Sequence, residues 1–282
     1  MTITPRTRPF MQVDVFSARP FHGNPVAVVL DGAGIGDAQM QAVARWTNLS
    51  ETTFVLPPTD ADADYRLRIF TPAAELPFAG HPTLGSARAW LEAGGVPRRT
   101  GSIVQECAAG LVGVRHRDGR LAFAAPPRLR TGALDDAHLQ RIVRAFGISR
   151  TQVLAHQWVD NGPGWAVVQL GTAREVLDLE PDLSLISDAM VGAIGAHPAA
   201  SPYRYEMRTF APAVGVPEDP ACGSMNAAVA QWLTHGTGPD AYRVSQGSRV
   251  GRDAVIAVTA EADGTVWIGG DTAVLIGGTI TL

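Results

Sequence analysis

A mixed α+β chain built from two related lobes is predicted by three observations: short strand-like runs through most of the length, a few helical segments between them, and one strand–turn–helix passage that occurs twice. In the first lobe "MQVDVFS" (11–17), "PVAVVL" (25–30), "TTFVLP" (52–57) and "YRLRIF" (65–70) are short apolar or alternating runs, the pattern of strands. Between them "GDAQMQAVARWTNL" (36–49) predicts a helix capped by Asp37 that packs through Met40, Val43, Ala44 and Trp46. A second helix is predicted from near Pro82 through "LGSARAWLEAG", closed by Gly94-Gly95 because glycine is favoured just past a helix C-terminus. Strands then return in "GSIVQECAAG", "LVGVRH" and "RLAFAAP".

The passage "PPRLRTGALDDAHLQRIVRAFG" (126–147) joins a proline-rich start to an amphipathic helix, which places the lobe boundary near Pro126-Pro127. The expected lobes are thus 1–127 and 128–270. In the second, "VVQLG", "YRVSQG", "AVIAVTA", "TVWIGG" and "AVLIGGTITL" predict strands, with helices around 173–180 and 184–195.

Duplication is the simple account of the repeat. "YRLRIFTPAAELPFAGHPTLGSARAWL" (65–91) and "YRYEMRTFAPAVGVPEDPACGSMNAAVAQWL" (203–233) share Tyr-Arg, a strand ending in Phe, x-Pro-Ala, a turn, then x-Gly-polar leading into a helix ending near Trp-Leu. Phe70 matches Phe210 and Ala79-Gly80 matches Cys222-Gly223, with a short insertion in the second turn.

Composition narrows the function. Hydrophobic residues at 46% and charged residues at 18% fit a globular protein with real cores. Neither a long apolar run nor a signal-peptide pattern is seen at the N-terminus, so a cytoplasmic location and no membrane partner are expected. All 23 basic residues are arginine, scattered along a chain of net charge −4, and a nucleic-acid partner is therefore not expected. Cys107 and Cys222 cannot form a disulfide framework, and neither has metal-ligand spacing around it, so no metal is expected. Gly32-x-Gly34 lacks the third glycine of a dinucleotide fingerprint. What is left is a small-molecule partner.

Both repeated turns, Ala79-Gly80-His81 and Cys222-Gly223-Ser224, feed a helix N-terminus, where unpaired N–H groups and the dipole attract an anion. Each glycine lets a ligand approach the backbone, and His81 or Ser224 can hydrogen-bond it. Either turn alone is equally an ordinary helix start. Their repetition, with a polar or titratable residue in each copy, favours function.

In "DVFSARPFHGNPVAVVL", "LSETTFV", "TPAAELPFAGHPTLGSA" and "EDPACGSMNAAVA" the chain resembles the PhzF (phenazine-biosynthesis) family, relatives of diaminopimelate epimerase. The resemblance implies two pseudo-symmetric lobes, each a β-barrel-like sheet around a central helix. It also implies a site between the two helix N-termini, and a final strand, about 271–282, that returns to the first lobe. It places the family's acid/base glutamate at Glu51, its histidine at His81, its aspartate at Asp219 and its serine at Ser224. Asn24, Ser50, Gly80, Cys222 and Gly223 fall in the same motifs as substrate-binding positions. Without the resemblance, Glu51 reads as a helix-to-strand surface residue and Asp219 as a turn residue before Pro220.

The implied chemistry is cofactor-independent isomerisation of a small, unsaturated, carboxylate-bearing metabolite of secondary metabolism, in a homodimer. In that chemistry Glu51 moves the proton, and His81 and Asp219 protonate or orient the substrate. Cys222 occupies one of the two cysteine positions of the epimerases, and Ala79 stands at the other, so a two-thiol inversion is disfavoured. Two further readings stay open: a cysteine-nucleophile hydrolase or racemase-like enzyme using Cys222, and a metabolite-binding scaffold without catalysis. At a helix N-terminus the Cys222 thiol is expected to have a lowered pKa.

Overall fold

The computed structural model describes residues 5–234 and 240–282. The chain divides into two compact units, one formed by 1–124 with 269–282 and the other by 125–268.

In the first unit β1 (Thr7–Val15) pairs antiparallel with β2 (Asn24–Val29), which runs parallel to β3 (Glu51–Leu56) after the helix α1 (Asp37–Thr47). Strand β4 (Tyr65–Phe70) lies antiparallel to β3 and to the two-residue β5 (Glu75–Leu76), and parallel to β6 (Ser102–Cys107). Hairpin pairing carries the sheet on through β7 (Gly110–Arg117) to β8 (Arg120–Ala124). The last strand of the chain, Thr272–Thr281, pairs antiparallel with β1.

The helix α2 (Gly80–Glu92) touches β1, β2, β3, β4, β8 and the last strand, so the sheet wraps it. Its sequence explains the position. Gly80, His81, Pro82, Thr83, Leu84, Gly85, Ser86, Ala87 and Ala89 are all buried, and a helix covered on nearly every side needs small residues rather than one apolar stripe. A Cβ at Gly85 would overlap Val26, so glycine is what lets the helix sit on β1 and β2. The buried Ser86 hydroxyl is satisfied by Thr53 at 2.8 Å.

The second unit begins with α3 (Asp136–Ala145), capped by the Asp135 side chain, and then repeats the wiring of the first. Strand β9 (Ala155–Trp158) is antiparallel to β10 (Trp165–Thr172), which runs parallel to β11 (Met190–Ala196) across the short helix α4 (Ala173–Leu177). Strand β12 (Tyr205–Ala211) is antiparallel to β11 and to β13 (Val216–Asp219), and parallel to β14 (Asp240–Gln246) beyond the helix α5 (Gly223–Leu233). Next come β15 (Ala254–Ala260), antiparallel to β14, and β16 (Val266–Gly270). From β1 to β7 and from β9 to β15 the order and direction of pairing agree strand for strand. That agreement supports duplication.

Three local expectations are corrected. Gly36, not Asp37, is the N-cap of α1, and the Asp37 carboxylate instead accepts from Arg68 Nη1 at 2.6 Å. Trp46 is 80% exposed because it falls outside the arc of Met40, Val43 and Ala44. The helix expected around 184–195 is a single 3-10 turn, Leu183–Ile186, followed by β11. Strand β11 is buried along Met190–Gly195, and a run covered on both faces has no period by which helix and strand can be told apart. Among the described residues no helix is long and apolar enough to cross a membrane.

Candidate active site

In the first unit Asn24 and Glu51 meet His81 beside Gly80 at the N-terminus of α2, and Ser50 directly precedes Glu51 in the chain. The parallel pairing of β2 with β3 puts Val26 opposite Glu51, so the start of β3 lies beside the start of β2. The loop that delivers Asn24 is tightly built. The buried Asp14 carboxylate accepts from the backbone N–H groups of His22 and Gly23, each at 3.1 Å, and Phe16 and Phe21 hold left-handed backbone at φ 69° and 70°. Asn24 Nδ2 lies within hydrogen-bond distance of His81 Nδ1 at 3.2 Å, and the Pro25 backbone also engages the ring, whose other nitrogen is Nε2. That Nε2 lies 3.3 Å from Glu51 Oε2, off hydrogen-bond alignment.

Proximity alone would invite an ion pair between His81 and Glu51. Burial decides otherwise: His81 is 3% exposed, and desolvation lowers its pKa to about 3. A neutral imidazole therefore faces the carboxyl group at neutral pH.

In the second unit Asp219, Cys222, Gly223 and Ser224 surround the N-terminus of α5. Trp165 Nε1 donates to Ser224 Oγ at 3.0 Å and Asn161 Nδ2 donates to the Ser224 carbonyl at 2.9 Å. Ser224 Oγ also lies 3.5 Å from Cys222 Sγ, a hydrogen-bond contact in which either group can donate. Asp219 Oδ1 accepts from the Ala221 N–H at 3.0 Å, shaping the turn into the helix. Cys222 is buried, and its pKa is raised well above the usual thiol value by desolvation first and by the Asp219 charge second. This corrects the expected lowering: burial outweighs the helix terminus. A protonated, buried thiol is a poor nucleophile, which disfavours the hydrolase reading.

Several residues that position these groups carried no recognisable sequence signal. Gln105 Nε2 donates to Thr83 Oγ1 in α2, and Gln246 Oε1 accepts from Asn226 Nδ2 at the equivalent place in α5, 3.0 Å in each case. Thr83 and Asn226 in turn donate to the N-cap carbonyls of Ala79 and Cys222, each at 2.9 Å. Arg68 forks onto Glu75 and Arg208 onto Glu218, tying β4 to β5 and β12 to β13. Asp160 mirrors Asp14 by accepting from the N–H groups of Gly162 and Gly164. Aligning the two copies of the repeat finds Arg68 with Arg208, Glu75 with Glu218 and Thr83 with Asn226. The glutamines lie outside the repeated passage.

The model of the family described as phenazine biosynthesis-like protein matches residues 13–281. The chain belongs to this family. It is 38% identical to antisense-enhancing sequence 1 of Schizosaccharomyces pombe, over 95% of this chain and 97% of that one. To the trans-2,3-dihydro-3-hydroxyanthranilate isomerase of Pseudomonas fluorescens it is 35% identical, over 89% of this chain and 90% of the other. The crystal structure of a PhzF-family phenazine biosynthesis protein from Bacillus anthracis superposes with a TM-score of 0.84 at 20% identity, covering 98% of this chain and 100% of that one. The fold of this PhzF-family chain is of the diaminopimelate epimerase-like α+β class. Its named relatives support an enzyme of the isomerase class.

Proposed function

We propose that this PhzF-family chain is an isomerase that moves a proton, and with it a double bond, within a small unsaturated ring bearing a carboxylate, using Glu51 as the proton carrier and no cofactor. The observation that carries the reading is the neutral His81 beside Glu51. An imidazolium there would quench the basicity of the carboxylate, whereas a neutral ring leaves Glu51 able to take a proton from carbon. The C–H electron pair becomes part of the shifted double bond, and protonated Glu51 returns the proton to a different carbon. His81 orients the carboxyl group and the substrate's polar substituents. Asp219 is assigned to protonating or orienting the substrate, and Ser224 and the N–H groups at Gly80, Gly223 and Ser224 to binding it and holding negative charge. Asn24, Ser50 and Cys222 complete the substrate-binding set. The same proposal takes the protein to act as a cytoplasmic homodimer in secondary metabolism.

The test is proton NMR in D2O with trans-2,3-dihydro-3-hydroxyanthranilate as probe, comparing the wild type with Glu51→Gln. Deuterium entering a ring carbon with the wild type alone supports the reading. Equal uptake in both proteins overturns the role of Glu51, and no uptake in either overturns this substrate class.

A further inference from the structure

The Gln246 carboxamide is the most heavily committed side chain near Asp219. It is buried, it closes strand β14, and it makes four hydrogen bonds to three different elements. Its Oε1 accepts from the Cys222 N–H at 3.3 Å and from Asn226 Nδ2 at 3.0 Å. Its Nε2 donates to Thr209 Oγ1 at 3.2 Å and to the Asp219 carbonyl at 3.0 Å. The next residue closes the same seam: Gly247 has φ 96°, and a Cβ there would overlap the Pro220 carbonyl. Both ends of the segment 219–222 are therefore tied to one amide plane, the Asp219 end by a donor and the Cys222 end by an acceptor.

We infer that Gln246 is the positioning residue of this turn, a latch that sets the Asp219 carboxylate and the first N–H groups of α5 in register with each other. Only a group with a donor on one side and an acceptor on the other can fill the place, because the Asp219 carbonyl accepts and the Cys222 amide donates. The first unit uses the same device more sparingly: Gln105 donates to Thr83 and accepts from the Tyr65 hydroxyl at 3.1 Å. There it touches neither flank of the Glu75–Ala79 turn in the way Gln246 holds Asp219 and Cys222. The fuller latch thus sits in the unit whose turn carries the carboxylate.

The donor–acceptor requirement supplies the experiment. In Gln246→Glu an ionised carboxylate still accepts from Cys222 and Asn226 but repels the Asp219 carbonyl, whereas the protonated acid restores a donor on that side. In a Cys107→Ser background Cys222 is the sole thiol, and its rate of reaction with 4,4′-dithiodipyridine reads how often the turn opens. Relative to the Gln246 parent at each pH, Gln246→Glu reacts about tenfold faster near pH 8, and the ratio falls toward one as the pH is lowered and the introduced acid, its pKa raised by burial at this position, protonates. A ratio of one throughout, or a rise that is the same at every pH, overturns the latch. If Gln246→Glu does not fold, Thr209→Val removes one of the Nε2 partners with little change of shape, and an unchanged thiol rate in that variant overturns the latch as well.

The consequence for turnover rests on the proton-transfer reading above. Where the wild type exchanges deuterium into the probe, Gln246→Glu lowers kcat more than it raises KM, and acid restores kcat. A positive thiol result with no exchange by the wild type removes the substrate reading and leaves the latch standing. A flat thiol result removes the latch and leaves the isomerase intact.

Discussion

His81 Nε2 stands 3.3 Å from Glu51 Oε2 inside a shell that leaves His81 only 3% exposed, so the pair is a neutral ring against a carboxyl group rather than an ion pair. Its signature is in the pH dependence of stability. The folded protein keeps His81 neutral down to about pH 3, while the unfolded chain takes up that proton near pH 6.5. Between those values the unfolded state binds more protons, and stability is lost as the pH falls through the window, by up to about 5 kcal/mol for the whole shift. His81→Gln removes the group, so urea denaturation at a series of pH values should show a shallower acid decline than in the wild type. Parallel declines would mean that His81 is protonated in the folded protein.

Trp165 and Ser224 offer a second measurable pair. Trp165→Phe keeps an aromatic ring but removes the N–H that fixes the Ser224 oxygen as an acceptor. A double-mutant cycle with Ser224→Ala should return a coupling of about 1 kcal/mol in stability. Strict additivity would show that the bond contributes nothing.

Cys222 should behave as a shielded thiol. Native protein is expected to react with a thiol reagent at Cys222 about a hundredfold more slowly than the urea-unfolded chain, because the side chain is buried and its pKa raised. Cys222→Ser should retain isomerase activity within about threefold, since the proposed chemistry needs no thiolate. Complete loss in that variant, with the fold intact, would return the cysteine-nucleophile reading to first place.

The two arginine forks differ in exposure and so in cost when broken. Side-chain exposure is 5% for Arg208 and 11% for Glu218, against 17% for Arg68 and 37% for Glu75. Glu218→Gln removes the charged partner of a buried guanidinium, whose Nη1 keeps the Val176 and Leu179 carbonyls, and should cost about 3 kcal/mol, whereas Glu75→Gln should cost about 1 kcal/mol because solvent already screens that pair. Arg68 also keeps the Asp37 carboxylate in the second case. Chemical denaturation of the two variants checks the order, and equal losses would contradict it.

Most strands and the two central helices were legible because their signals are local. Glycine past the end of α2, the valine-rich run in β2 and the apolar–arginine alternation in β4 each fit within a few residues. The misplaced helix at 184–195 shows the limit. Its residues are buried on both faces, with Met225 of α5 against Gly192 and Val176 of α4 against Gly195, and that fact lies outside the segment. The repeat made the site's outline visible as well, since it aligned His81 with Ser224 and Ala79 with Cys222. The partners of those residues were not visible. Gln246 lies 24 residues beyond Cys222 and Trp165 lies 59 before Ser224, brought there by strand pairing rather than by proximity in the chain.

By itself, then, the sequence determined the duplication, the α+β class and the residues around which a site is built. These follow from patterns that a short window contains: period, capping and motif order. The tertiary structure alone decided the state of those residues, the neutral His81, the protonated Cys222 and the Ser224 oxygen that accepts from Trp165. Protonation and hydrogen-bond direction depend on desolvation and on partners from distant strands, and both exist only once the sheets have closed around α2 and α5.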